Sequence, residues 1–95
     1  MSNSEELQTI IKAIIVSQQA VIGPIALQTA NKVSGLEVSL DLKNIEIKED
    51  GQKVLERLVS QYESLFGRAS VEVCKDAIRP IIAKSKGINL PQILL

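Results

Sequence analysis

The sequence predicts a mainly α protein, a small helical bundle of about four helices with a short β-hairpin or extended segment between two helix-corner-helix halves. Two long segments carry apolar residues at helical spacing, a strict apolar–polar alternation separates them, and a glycine ends each long segment. Ninety-five residues supply one modest core. We therefore expect a single helical domain over residues 1–95, with halves 1–35 and 52–87, a joining extended segment 36–48 and an apolar tail 88–95.

The first helix is predicted from its amino-terminal signal and its apolar stripe. Ser2 and Glu5 have the spacing of a capping box, in which each side chain bonds the backbone amide of the other residue at a helix start. Steps of three and four residues dominate the apolar stripe that follows: Leu7, Ile10, Ile11, Ile14, Ile15, Val21 and Ile22. We predict a helix over residues 3–22.

The stretch AVIGPIA, residues 20–26, interrupts this helix with a glycine and a proline. Proline inside a helix costs about 3 kcal/mol, but it is well tolerated at the first position of a new helix. Gly23 can adopt backbone conformations that other residues resist. Gly23 and Pro24 are therefore predicted to form a corner, after which a second helix runs to about Val33.

An apolar helix that leads into a Gly-Pro-aliphatic-Ala turn resembles the small helical regulatory domains that accompany kinases and response regulators in bacteria. The resemblance covers roughly residues 10–33 and rests on AVIGPIA alone. It implies a role in bacterial regulation or signalling, and it transfers no functional residues.

Residues 36–42, LEVSLDL, alternate strictly between apolar and polar, and after a slip at Asn44 the alternation resumes in IEIK. We predict a hairpin with a turn or bulge around residues 41–44. The edges of a two-stranded hairpin invite another strand, and its apolar surface exceeds what four short helices are expected to cover. We therefore predict that six hairpin residues form an interface between chains: Leu36, Val38, Leu40, Leu42, Ile45 and Ile47.

Helical spacing returns over residues 52–66 and stops at Gly67, which we predict to be a second corner. A fourth helix follows from about Ala69, with Pro80 bending it. A shift of 44 residues brings Gly23 onto Gly67 and apolar positions onto apolar positions. Each half then consists of a long helix, a glycine corner and a shorter helix. Two unrelated amphipathic helices can be aligned in the same way, so the repeat stays open.

Residues with catalytic or metal-binding chemistry are scarce in this sequence. It contains no histidine, a single cysteine and no glycine-rich phosphate-binding loop. We expect no enzymatic activity, no catalytic residues, no cofactor and no metal site. Cys74 falls on the apolar stripe of the fourth helix, which favours a small core residue over a reactive thiol.

The charges of the chain balance, with 11 lysines and arginines against 11 aspartates and glutamates. No net field therefore favours nucleic acid or an anionic membrane. Arg68, Lys75 and Arg79 fall on one side of the fourth helix and are candidates for contact with an anion, while a solvated face is the alternative interpretation. The acidic amino terminus and the short apolar runs predict neither export nor membrane insertion, so we expect a cytoplasmic protein.

These observations favour a non-enzymatic module for protein–protein interaction or oligomerisation in bacterial regulation or signalling. The simplest form is a homodimer, and another regulatory protein is the alternative partner. Two other functions stay open. One is a small polyanion- or nucleic-acid-binding protein that uses the basic side of the last helix. The other is a ligand carrier with a pocket between the helices at Gly23 and Gly67, where the sequence predicts no polar group.

Overall fold

The structure, a computed structural model, describes residues 3–85 and 87–95. Four helices, an antiparallel two-stranded hairpin and a final 3-10 turn make up the described chain. In chain order the elements are α1 (Asn3–Ile22), α2 (Ile25–Ala30), β1 (Leu36–Val38), β2 (Ile45–Ile47), α3 (Gly51–Phe66), α4 (Arg68–Lys84) and the turn Gln92–Leu94. The predicted mainly α fold with a hairpin between two helix pairs is confirmed.

Helix α1 has the predicted bounds and packs mainly against α4 and α2. Its central isoleucines are fully buried: Ile10, Ile11, Ile14 and Ile15. Val21, which the spacing placed inward, is 65% exposed. In the last two turns of α1, Gln18 is buried and Ile22 is partly buried instead. The predicted capping residue Ser2 lies outside the described residues.

Gly23 and Pro24 form the predicted corner between α1 and α2. Gly23 has a φ of +76°, and Pro24 immediately precedes the first residue of α2. Helix α2 ends at Ala30 rather than near Val33. The N–H groups of Lys32 and Val33 bond to the carbonyls three residues before them. This is the hydrogen-bond spacing of a 3-10 helix and not of an α-helix.

The hairpin is present, but it is shorter than the apolar–polar alternation predicted. Val38 lies opposite Ile45 in the antiparallel pairing and is the last residue of β1. The turn begins at Ser39 and not at Asp41. Leu40 is therefore 92% exposed and does not face the core with Val38.

Helices α3 and α4 form the second helix pair. Asp50 caps α3 by accepting a hydrogen bond from the Lys53 N–H at 3.1 Å. Gly67 alone separates the two helices, with a φ of +85° and a ψ of −178°. This conformation is essentially restricted to glycine. Helix α4 then continues through Pro80 to Lys84.

The carboxy-terminal segment packs on its own chain. Leu94 is buried, and Ile88, Leu90 and Ile93 are partly buried against the core. The final turn contacts α3 and α4. Leu95 stays 75% exposed. The apolar tail therefore covers part of the core of the same chain.

The two helix pairs share a glycine corner but differ in proportion. Gly23 and Gly67 each follow a long helix and have positive φ. Helix α2 has 6 residues against 20 in α1, whereas α4 has 17 against 16 in α3. The predicted shorter second helix is correct for the first half and wrong for the second.

Candidate functional site

The hairpin turn, the segment between β1 and β2, presents Leu40 to solvent. Ser39 Oγ donates a hydrogen bond to Asp41 Oδ1 at 2.6 Å. The Lys43 N–H donates to the same oxygen, and the Asn44 N–H donates to Ser39 Oγ, both at 3.0 Å. The bonds from Ser39 and Lys43 lower the pKa of the Asp41 carboxyl. The turn therefore holds Leu40 in a defined position with most of its surface in solvent.

The rest of the predicted interface faces the core of the same chain. Leu36, Val38 and Ile45 are buried, and Leu42 and Ile47 are partly buried against the core. Helix α1 packs against β2, and α2 packs against β1. The prediction that the helices leave this apolar surface uncovered is therefore wrong for Leu36, Val38 and Ile45. Leu42 and Ile47 are covered in part, and Leu40 is exposed.

Side-chain amides bond to both outer edges of the hairpin. Asn31 Nδ2 donates to the Val38 carbonyl at 3.0 Å, and Asn31 Oδ1 accepts from the Val38 N–H at 2.8 Å. On the other edge, Gln8 Nε2 donates to the Ile45 carbonyl at 2.9 Å. Gln8 of α1 and Asn31, which follows α2, therefore bond to backbone groups that the sequence left open to a second chain.

A cleft of about 300 Å³ lies beside Leu40, and we call it the α2 cleft. Apolar and amide side chains line it together: Gln19, Pro24, Leu27, Gln28, Asn31 and Leu40. The exposed leucine and a partly apolar depression are therefore neighbours on one face of the molecule.

A second depression, the corner cavity, lies where the end of α1 meets the start of α4. Its volume is about 230 Å³. Seven residues line it: Gln18, Val21, Ile22, Phe66, Ala69, Ser70 and Val73. The cavity is next to Gly23 and Gly67, where the sequence suggested a pocket. The expectation that no polar group lies there is wrong, because Gln18 and Ser70 form part of its wall.

Gln18 is a buried polar residue that the apolar pattern of α1 did not reveal. Its Nε2 donates to the Ser70 carbonyl at 2.9 Å and to Cys74 Sγ at 3.3 Å. A flipped amide would place Oε1 against the Ser70 carbonyl oxygen, so these bonds fix which amide atom is the donor. Gln18 Oε1 is buried and has no hydrogen-bond donor among the described residues.

Cys74 lies in the core, as the sequence predicted. Burial raises the pKa of its thiol to about 11. The thiolate is the reactive form of cysteine, and a raised pKa makes it scarce at neutral pH. The position therefore fits a small core residue and not a reactive thiol.

Carboxylates accompany the predicted basic side of α4. Arg68 Nη1 lies 3.9 Å from Glu63 Oε2, and Lys75 Nζ lies 3.5 Å from Glu72 Oε2. Arg79 forms an ion pair with the aspartate three positions before it. Such exposed pairs contribute little to stability, but each one partly cancels the charge that a polyanion would meet.

Neither a metal-binding cluster nor a membrane-spanning helix is found among residues 3–85 and 87–95. Across these residues, no group of three or more histidine, cysteine, aspartate or glutamate side chains is arranged to hold a metal ion. Over the same part of the chain, no helix combines the length and the apolar character needed to cross a membrane.

Comparison of the chain with models of protein families, with curated proteins and with solved structures gives no match. Function is therefore inferred from the exposed leucine and the α2 cleft.

Proposed function

We propose that the protein is a non-enzymatic protein-association module, most simply a homodimer, whose contact surface includes Leu40. The observation that supports this is the 92% exposure of Leu40 on a hydrogen-bonded turn. Single exposed apolar residues are common on protein surfaces. Leu40 differs from them because it lies on a hydrogen-bonded turn beside the partly apolar α2 cleft.

The position of Leu40 beside this cleft favours a symmetric dimer. In a closed dimer the same surface of both copies meets, so that a residue and its contact exchange roles across the axis. A two-fold axis between Leu40 and the cleft places each leucine in the cleft of the other copy, against Pro24 and Leu27. Full burial of a leucine contributes about 1.5 to 3 kcal/mol to association, and a symmetric dimer contains two such contacts.

The regulatory part of the proposal is supported by the resemblance of AVIGPIA to small bacterial regulatory domains. Pro24, within that motif, also lines the α2 cleft. The motif and the proposed contact surface therefore share Pro24. Another regulatory protein that offers an apolar side chain to the same cleft is the alternative partner.

Light scattering on a size-exclusion column tests the proposal. The wild type is expected at no less than twice the 10.4 kDa chain mass at micromolar concentration. Leu40→Lys is expected to shift it to the monomer mass, because a lysine in the cleft is costly to desolvate. Val38 is left unchanged, since it is only 7% exposed and a charge there would unfold the hairpin.

Leu95→Lys is the matched control, because Leu95 is an exposed leucine in the carboxy-terminal segment. It is expected to keep the wild-type mass, and circular dichroism checks that both variants fold. A folded wild type that stays monomeric at every concentration would refute the dimer. An unchanged mass for Leu40→Lys would show that the contact lies elsewhere.

A further inference from the structure

Residues 13–31 form the longest stretch of the chain without a charged side chain. Charged residues make up 23% of the sequence, and Lys12 and Lys32 bound this stretch. It covers the second half of α1, the corner at Gly23 and Pro24, and all of α2. Burial alone does not explain the lack of charge, because part of the stretch faces solvent.

We call the solvent-facing side of this stretch the uncharged face. It consists of exposed and half-buried residues of α1, the corner and α2: Val16, Gln19, Ala20, Pro24, Ile25 and Gln28. Val16 precedes Gln19 by three residues and Ala20 by four, so these three lie on one side of α1. Gln19, Pro24 and Gln28 also line the α2 cleft. The uncharged face is therefore continuous with the contact surface proposed for Leu40.

The other two long helices show the usual composition of a solvent-facing side. Lys53 and Glu56 are exposed on α3, and Arg68, Glu72 and Arg79 are exposed on α4. Charged and polar residues normally occupy the side of a surface helix that faces water. Depletion of charged residues is instead typical of the central part of a protein–protein interface. The uncharged face therefore has the composition of a surface that another protein covers.

The area that a stable dimer needs also favours a contact wider than Leu40. A standard interface buries about 1,200 to 2,000 Å² in total and uses about 20 to 30 residues from each partner. Leu40 and the residues of the α2 cleft supply only a few of these. The uncharged face adds apolar surface directly beside the cleft, since Val16 is 46% exposed and Ile25 is 44% exposed.

The lack of charge favours a second copy of this chain as the partner. Close to the axis of a two-fold dimer, a residue meets the same residue of the other copy. A charge at such a position faces a like charge, which opposes association. A different protein could instead carry opposite charges that pair across the contact, and the uncharged face offers no charge for such pairing.

We propose that the uncharged face packs against the same face of a second copy, around the two-fold axis of the dimer. This inference rests on the proposed homodimer and extends its contact surface from Leu40 and the α2 cleft to the second half of α1. The uncharged face forms the centre of the interface, and Leu40 lies beside it.

Ala20→Glu and Ala83→Glu form a matched pair of variants. Both alanines are exposed, and they lie in the last turns of α1 and α4, so the glutamate has a similar effect on each helix. Sedimentation equilibrium measures the Kd of the dimer, and circular dichroism checks the fold. Ala20→Glu is expected to raise the Kd by at least about tenfold, because like charges meet at the axis. Ala83→Glu is expected to change it by less than about twofold.

A mixture of two charge variants tests whether the same face of both copies meets. Ala20→Lys alone is expected to weaken the dimer as Ala20→Glu does. In an equimolar mixture of the two at low salt, opposite charges meet across the axis, so association is expected to recover at least in part. Loss of this recovery in about 1 M salt is expected as well, because salt screens the pair.

The outcomes separate this inference from the proposed function. A wild type that is monomeric at every concentration would refute the dimer and this interface with it. A dimer that Leu40→Lys dissociates and Ala20→Glu leaves unchanged would overturn this inference alone. A dimer that Ala20→Glu weakens, without recovery in the mixture, would overturn the pairing of like faces. A dimer that Ala20→Glu weakens, with recovery in the mixture, supports the inference even if Leu40→Lys has no effect.

Discussion

The side-chain amide of Asn31 forms two hydrogen bonds with the backbone of Val38, one in each direction, at 3.0 and 2.8 Å. Asn31 follows the last residue of α2, and Val38 is the last residue of β1. The amide therefore occupies the place that a neighbouring strand would take on the outer edge of the hairpin. This contact explains how a hairpin of two three-residue strands is held without a third strand.

Asn31→Ala is expected to destabilise the protein by about 1 to 3 kcal/mol, because it leaves the Val38 N–H and carbonyl without their partner. Urea unfolding followed by circular dichroism measures the change. Lys32→Ala, at an exposed position that follows α2, is the control and is expected to change the stability by less than about 0.5 kcal/mol. Equal stabilities of the two variants would show that the Asn31 contact contributes nothing.

Tyr62→Phe is expected to destabilise the protein by about 0.5 to 1.5 kcal/mol. The Tyr62 side chain is fully buried, and its hydroxyl donates to the Ala26 carbonyl at 2.7 Å, which ties α3 to α2. Phenylalanine keeps the ring and removes the hydrogen bond that joins the two helices. Unfolding in urea is compared with that of Ser60→Ala, an exposed change on the same helix. A loss no greater than in that control would contradict the role of the hydroxyl.

Gly67→Ala and Gly67→Val are both expected to destabilise the protein, by about 1 to 3 kcal/mol. A Cβ at Gly67 meets nothing within 4 Å, so the cost arises from the backbone conformation and not from a clash. Thermal unfolding measures the loss. D-alanine introduced at position 67 by chemical synthesis is the matched control, since its preferred φ is positive. A melting temperature of the L-alanine variant equal to that of the D-alanine protein would argue against this account.

The helices were predictable because their signals are local. The bounds of α1 follow from its apolar spacing and the glycine after it, and the two corners follow from Gly23 and Gly67. Leu40 was assigned to the wrong environment because the apolar–polar alternation continues beyond the strand. The hydrogen bonds of Ser39 and Asp41 close the turn earlier than the alternation indicated.

The polar residues of the candidate sites were harder to predict because their partners are distant in sequence. Gln18 bonds to Ser70, which lies 52 residues away, and Gln8 bonds to Ile45, which lies 37 residues away. One signal was available for Gln18. It falls in step with Ile14, which is a core position, so a buried glutamine was implied by the same spacing that placed the isoleucines.

The Cys74 thiol is expected to be protected in the folded protein. It is fully buried, and burial raises its pKa from 9.0 to about 11. A thiol reagent at pH 8 is therefore expected to label it slowly in buffer and rapidly in denaturant, because unfolding restores both access and the thiolate. Labelling of the folded protein within seconds would show that the site opens readily.

The raised pKa of Cys74 also predicts how stability depends on pH. The folded state holds the thiol proton more tightly than the unfolded state, so this contribution is fully present below pH 9.0 and is lost as the pH rises toward about 11. The free energy of unfolding is expected to fall in this window, by at most about 1.4 kcal/mol per pH unit for this group. Burial raises the pKa of Tyr62 as well, which adds to the loss at the alkaline end. Urea unfolding between pH 8 and 10.5 is compared for the wild type and Cys74→Ala, and the variant is expected to show the shallower decline. Parallel curves for the two proteins would mean that the thiol keeps the same pKa on unfolding.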